Sequence, residues 1–203
     1  MSSDNRRSYI LTISTSLLIL VCLFYFFNIT KGSNESYFSI GLLDSTKTSA
    51  NYFNGEDSQV NPDETYSWYV FIENKFSTSK QTILKVKLIN QSTNPPNTTS
   101  CIPCISPVIY SNEMYLGPDQ SAYLPFEWVI TQADNIQQTT SISNIQINDR
   151  EISVNVQSST NDFRFIFELW AYDSELDEYV FKWGEANEAC SWAQIWFHIS
   201  EES

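Results

Sequence analysis

Glycine is scarce in this chain, at five of 203 residues. That excludes the Gly-rich loops that cradle phosphates and the long flexible linkers that need glycine. Basic residues are also few: 11 Lys and Arg stand against 24 Asp and Glu, for a net charge of −13. So acidic a chain has little with which to displace the counterions of a nucleic-acid backbone, and no nucleic-acid partner is expected. Binding of cations or of a basic partner surface is compatible with that charge. There is one histidine, His198. Ser-His-Asp chemistry would have to run through it, and no serine stands out as its partner. The G-x-S-x-G, H-E-x-x-H and P-loop patterns do not occur. Carboxylate pairs of the kind glycosidases use arise in any acidic chain and point nowhere. The expectation is a protein without enzyme activity and without a cofactor.

What is present begins with one apolar run. Tyr9 to Ile29 reads YILTISTSLLILVCLFYFFNI, with no charge and with thirteen Ile, Leu, Val or Phe residues. As a helix it would span roughly 31 Å, the thickness of a bilayer's hydrocarbon core. A cleaved signal peptide is the rival reading. The run is longer than the usual ~7–15 residues of such a segment and no small-x-small site follows, which favours an uncleaved anchor in membrane lipid. Arg6 and Arg7 precede the run and Lys31 follows it. The positive-inside rule then puts 1–8 in the cytoplasm, 9–29 in the membrane as a single-pass helix, 30–36 as a linker and 37–203 outside as one domain. The first 29 residues carry +1 of the total −13, so the remainder stands at −14. Four N-x-S/T sequons occur, at Asn28, Asn34, Asn90 and Asn97. Asn28 lies too near the bilayer. Asn90 and Asn97 flank a polar loop and are the candidate glycosylation sites.

Past the anchor, period-two alternation replaces helical periodicity. Candidate strands are 37–43, 61–74, 82–89, 122–130, 163–173, 178–183 and 192–199, with a hairpin over 145–156 turning at Asn148-Asp149. Tyr66, Trp68, Val70 and Ile72 share one face, as do Leu124, Phe126, Trp128 and Ile130. Leu84, Val86 and Leu88 point inward while Lys85 and Lys87 point outward. Seven to nine short strands with Asn, Pro, Ser and Asp turns predict an all-β, antiparallel sandwich of immunoglobulin-like shape, preceded by the membrane helix. The stretch 90–112, with Pro95 and Pro96 and many Ser, Thr and Asn residues, predicts an exposed loop.

The segments SWYVFIENK, LGPDQSAYLPFEW and FRFIFELWAYD, with the later EYVFKWG and SWAQIWFHI, resemble an archaeal family of predicted single-pass membrane proteins. Its all-β exterior module carries an "EN" after an early strand and an aromatic closing strand. The resemblance spans roughly residues 60–199. It implies a cell-surface location, names no activity and transfers no catalytic residue.

Four cysteines remain: Cys22 within the apolar run, and Cys101, Cys104 and Cys190 beyond it. The C-I-P-C of Cys101–Cys104 resembles a thioredoxin-type motif. That chemistry needs a helix N-terminus at the first thiol, and Pro107 blocks a helix within one turn. Cys101, Cys104, Cys190 and His198 form a Cys₃His set that zinc or copper would accept, although Cys-x₇-His is not a standard half-site. A disulfide among Cys101, Cys104 and Cys190 would staple the loop in an oxidising exterior, with one thiol left over. The staple is the favoured expectation and its pairing stays open. The acidic turn of Asp173 to Glu178 has oxygen ligands but not the spacing or glycine of a calcium loop, and reads as a solvated hairpin tip.

The aromatics of the last strands say more. Alternation puts Ala193, Ile195, Phe197 and Ile199 inward and Trp192, Gln194, Trp196 and His198 outward; Ile166, Trp170 and Tyr172 share the second face of 163–173. If these strands are neighbours, Trp170, Tyr172, Trp192 and Trp196 form an aromatic partner-contact patch. With the opposite parity, Trp170 and Trp196 fill the core. The expected role is an accessory or assembly subunit of a membrane or cell-surface complex. The alternative is an extracytoplasmic binding module for metal ions, solutes or glycans.

Overall fold

The computed structural model describes residues 15–25, 36–53, 58–136, 138–183 and 189–200. The chain divides into two units, Met1–Glu35 and Ser36–Ser203. In the first, 15–25 form an α-helix (α1). The remainder of the expected span, 9–14 and 26–29, lies outside the described residues, as does the expected linker up to residue 35. Among the described residues no helix is long and apolar enough to cross a membrane.

The second unit is all β. Its strands are β1 (Phe38–Leu43), β2 (Gln59–Val60), β3 (Tyr66–Asn74), β4 (Lys80–Asn90), β5 (Tyr110–Leu116), β6 (Ser121–Ile136), β7 (Thr139–Ile147), β8 (Arg150–Ser158), β9 (Asp162–Asp173), β10 (Glu178–Val180) and β11 (Ser191–Ile199). One sheet has the order β1-β3-β6-β7-β8. The other runs β2-β11-β9-β4-β5, with β10 also on β9. Pairing is antiparallel except for the short β2 against β11.

Alternation decides which face of each sheet is inside. Tyr66, Trp68, Val70 and Ile72 of β3 are all buried, and so are Phe126, Trp128 and Ile130 of β6. They meet Leu84, Val86 and Leu88 of β4 and Phe163, Phe165 and Phe167 of β9 in one core. The core is built on aromatic edges: Trp128 meets Phe165 at 4.9 Å and Phe126 meets Phe167 at 5.1 Å, both T-shaped. That geometry sets a ring's positive edge on a negative face. The hairpin between β7 and β8 turns at Asn148 and Asp149, with φ of 44° and 64°. Positive φ at both central residues is what a two-residue turn needs to match strand twist, and Asn and Asp tolerate it best after glycine.

Several strands depart from the alternation-based expectation: β2 is unexpected, β6 runs six residues past its expected end, and β5 and β7 differ most. β5, sequence YSNEMYL, falls at the edge of the stretch expected to be loop. It is an edge strand on β4 whose side chains alternate exposed and half-buried, so it lacks the apolar signature of a strand with two covered faces. β7 begins at Thr139, six residues before the expected hairpin, because its first half is Thr, Ser and Asn.

The asparagine of the "EN" pair is structural. Asn74 is fully buried, and its Nδ2 lies within 3.1 Å of the carbonyls of Thr78, Leu116 and Gly117. Its Oδ1 accepts the Phe76 amide at 2.9 Å. One amide side chain thus joins the β3–β4 connection to the end of β5. Asn74→Ala should lower the unfolding free energy by about 2–4 kcal/mol in urea titration, because several buried polar groups lose their partner together. Asn74→Asp, which cannot donate, should not rescue it.

A second polar knot follows β1. The Asp44 carboxylate accepts from the Thr46 and Thr48 amides at 2.8 and 2.9 Å and from both threonine hydroxyls. These bonds, led by the Thr48 amide, hold its pKa at about 2. A depressed carboxylate contributes stability above its unfolded pKa of ~3.9 and loses it as pH falls toward the folded value. The stability deficit of Asp44→Asn, followed by circular dichroism, should be constant above pH 5 and shrink steadily between about pH 4 and pH 2.

Candidate functional site

The outer face of the second sheet carries a dense polar network. β4, β9 and β11 lie side by side, with Trp192 opposite Glu168, Gln194 opposite Ile166 and Trp196 opposite Arg164. On the other flank Lys85 pairs with Glu168 and Lys87 with Ile166. This register gathers Lys85, Lys87, Arg164, Glu168, Trp170, Trp192 and Trp196 on one face. Trp170 and Trp196 are therefore not core residues. The outward parity holds, with Phe197 and Ile199 buried on the inner side and Trp196 39% exposed.

Lys87 does not reach water as its parity suggests. Its Nζ sits 2.8 Å from Glu168 Oε2, with side-chain exposures of 5% and 0%. What covers the pair is the segment 91–109, expected to be an exposed loop. The Cys104 carbonyl accepts from Lys87 Nζ at 2.6 Å, and the Cys104 amide donates to Glu168 Oε1 at 2.7 Å. Arg164 donates to the Thr93 carbonyl at 2.6 Å and to Gln194 Oε1 at 2.9 Å. The Cys104 side chain packs with Ile89 and Ile166 in a small second cluster, against Trp192. The loop is thus a roof, held because each buried charge finds a backbone partner in it.

Around the roof, the aromatics are interleaved with cations. Lys85 Nζ lies 3.5 Å from the Trp170 ring centre and the Arg164 guanidinium 4.3 Å from that of Trp196. Trp170 also packs on Phe181 and donates its indole N–H to Glu168 Oε2 at 3.0 Å. Burial first, and then the nearby Lys87, lowers the pKa of Lys85. Tyr172 stacks edge-on with Tyr179 of β10 and bonds Asp177. Trp170, Tyr172, Trp192 and Trp196 therefore share the face without merging into one apolar patch, since charged side chains separate them. Among the side chains gathered here Lys85, Lys87 and Arg164 outnumber Glu168, a local clustering of cations that net charge does not reveal.

The cysteines are all thiols. Cys101 and Cys104 are buried and Cys190 is half-buried. Cys101 and Cys190 both donate to the Thr98 carbonyl, at 3.5 and 3.8 Å. Burial, and then a hydrogen bond with Cys101, pushes the Cys190 thiol up to about 12. Burial also raises Cys104, whose neighbouring charges are Lys87, Glu168 and Arg164. The Cys₃His set is not assembled. Cys190 precedes β11 and His198 lies near its far end, a separation of roughly 26 Å along the strand, with His198 beside Ser58. Among the described residues no three metal-ligating side chains gather.

The candidate glycosylation sites differ. Asn90 is engaged on both sides, its Nδ2 on the Gln157 carbonyl at 2.6 Å and its Oδ1 on Ser92 and Thr93. Asn97 is exposed, and its Oδ1 accepts from the Thr99 and Ser100 amides. The acidic turn closes on itself, with Asp173 Oδ1 accepting the amides of Glu175 and Leu176.

No family model matches the chain, and no curated protein matches it. Among solved structures it is similar to the CARDB domain of a Pyrococcus furiosus protein in complex with di-metal ions, at 12% identity and a TM-score of 0.39, covering 81% of this chain and 89% of that one. A solution structure of the same domain gives 13% identity and a TM-score of 0.40 over 81% and 94%. A β-glucosidase from Listeria innocua in complex with isofagomine gives 12% and 0.38 over 81% of this chain but only 16% of the enzyme. These likenesses assign the chain to no family.

Proposed function

We propose that this protein is a non-catalytic, single-pass membrane protein whose immunoglobulin-like module docks on a second protein through the outer face of β4, β9 and β11. The observation that carries the reading is the pair of cation-capped tryptophans, Lys85 on Trp170 and Arg164 on Trp196. Tryptophan and arginine lead among residues that anchor interfaces. Arg164 is itself buried and committed to Thr93 and Gln194, so the charge this face offers is that of the half-buried Lys85, which suits a carboxylate on the partner. The uncharged run of Tyr9 to Ile29, helical over 15–25, supports the anchor. Five crossings between the sheets, from β1 to β2, β2 to β3, β3 to β4, β5 to β6 and β8 to β9, support the immunoglobulin-like assignment.

The test is size measurement after mild detergent extraction from native membranes. The wild-type chain should migrate with a stoichiometric partner. Trp170→Ala with Trp196→Ala should reduce that co-migration at least about tenfold, since two anchors of this type are worth well over 1.4 kcal/mol. A monomeric wild-type chain would overturn the reading.

A solute-binding role has one observation of its own. An open polar groove of about 870 Å³ is lined by Asp63, Gln132, Asp134, Asn135, Thr160 and Asn161 among others, none of them on the tryptophan face. Saturable binding of a soluble saccharide or cation, lost in Asp134→Ala, would favour that role.

A further inference from the structure

We infer that Cys101 and Cys190 are a disulfide-forming pair, and that their bond locks the 91–109 roof onto the start of β11 while Cys104 stays a buried thiol. The inference does not rest on the docking reading, and each can fail without the other.

Three observations converge. The two thiols share one acceptor, the Thr98 carbonyl, and hydrogen-bond each other. Cys101 holds φ at 48°, an uncommon conformation for a residue other than glycine, so its backbone is fixed in a tight turn by the Asn97–Ile102 bridge. Cys104, three residues on, faces away from this contact. Its amide and carbonyl are committed to Glu168 and Lys87, and its side chain packs on Ile89 and Ile166. A bond between Cys101 and Cys104 would draw the Cys104 side chain out of its packing on Ile89 and Ile166, beside the backbone groups that hold the buried ion pair. A bond between Cys101 and Cys190 leaves that pair untouched and joins two thiols that already share an acceptor, the sulfurs closing to about 2.05 Å.

The chemistry balances with a disulfide oxidant such as glutathione disulfide. Cys190, more exposed than Cys101, loses its proton and attacks the oxidant, breaking that S–S bond and releasing one thiolate. The Cys101 thiolate then attacks the Cys190 sulfur of the mixed disulfide, forming the internal bond and releasing the second thiolate. Two protons and two electrons leave the protein, and the oxidant becomes two thiols. Cys190, held well above the ordinary cysteine range, is not stabilised as a thiolate in the folded chain. That favours a lasting staple over a rapidly cycling redox centre.

The experiment refolds the reduced full chain in a glutathione redox buffer at pH 8.5, alkylates it, and maps the linked peptides. Refolding removes any limit on oxidant access. The expected result is a Cys101–Cys190 link at least about tenfold more abundant than either other exterior pairing, with Cys104 alkylated only after denaturation. Since the bond closes a loop of about 90 residues, oxidation should raise Tm by roughly 5–15 °C. Cys104→Ser should keep that gain, and Cys101→Ser and Cys190→Ser should lose it. A dominant link involving Cys104, or a natively folded chain that keeps its exterior thiols, would overturn the inference. The peptide map of the unsubstituted chain decides even if a variant fails to fold.

Discussion

Glu168→Ala should destabilise the sandwich by about 3–5 kcal/mol, as much as half the stability of an ordinary domain. The carboxylate is completely buried and serves three donors: Lys87 Nζ, the Cys104 amide and the Trp170 indole. Removing it strands a lysine that is itself nearly inaccessible and takes away the attachment of the 91–109 roof. Lys87→Met should cost a similar amount, since it leaves an uncompensated carboxylate. The double substitution Lys87→Met with Glu168→Leu should recover most of the loss, because a buried ion pair is often no better than a well-packed apolar pair of the same volume. Urea titration of the four chains closes the cycle, and the coupling should exceed about 2 kcal/mol. Simple additivity would mean that the two charges do not act as a unit. Faster alkylation of Cys104 in Glu168→Ala would show the roof lifting.

Trp68→Ala should cost about 3–5 kcal/mol by a different route. Trp68 is 1% exposed. It touches Phe126, Trp128 and Phe165, so it links β3 and β6 to the opposite sheet. Its indole N–H donates to the Tyr52 carbonyl at 2.6 Å, tying the segment after β1 to the core. Truncation opens a cavity that rigid neighbouring rings cannot close and strands that carbonyl. Trp68→Phe should keep most of the packing and cost about 1–2 kcal/mol, mainly through the lost hydrogen bond. Tyr123→Ala, at a ring 45% exposed on the other face of β6, should change stability by less than about 1 kcal/mol. Equal losses at both positions would contradict the assignment of the core.

The core was legible in the sequence because alternation is strict where one face is buried. Every second residue from Tyr66 to Asn74 is inside, and the Asn148-Asp149 turn is written in residues that accept positive φ. β5 was not legible, since an edge strand has only one neighbour and its side chains need not alternate in polarity. The candidate site was half legible. Parity placed Lys87, Trp170, Trp192 and Trp196 on the outer face, but parity reports the direction of a side chain and not what lies above it. The roof over Lys87 depends on Glu168 and Cys104, which are 81 and 17 residues away in the chain, and no local pattern records that pairing. The same holds for Cys190 and Thr98, whose contact exists only once β11 is set beside β9. His198 is a candidate ligand only as the single histidine, and the length of β11 separates it from Cys190.

Site-specific photocrosslinking in native membranes tests the docking face most directly, with a photoreactive phenylalanine analogue placed at Trp196 in one chain and at Tyr123 in another. The docking reading expects a discrete, heavier adduct from the Trp196 position, weakened by Trp170→Ala, and none from Tyr123 on the opposite sheet. No adduct at Trp196, or equal adducts from both positions, would contradict it.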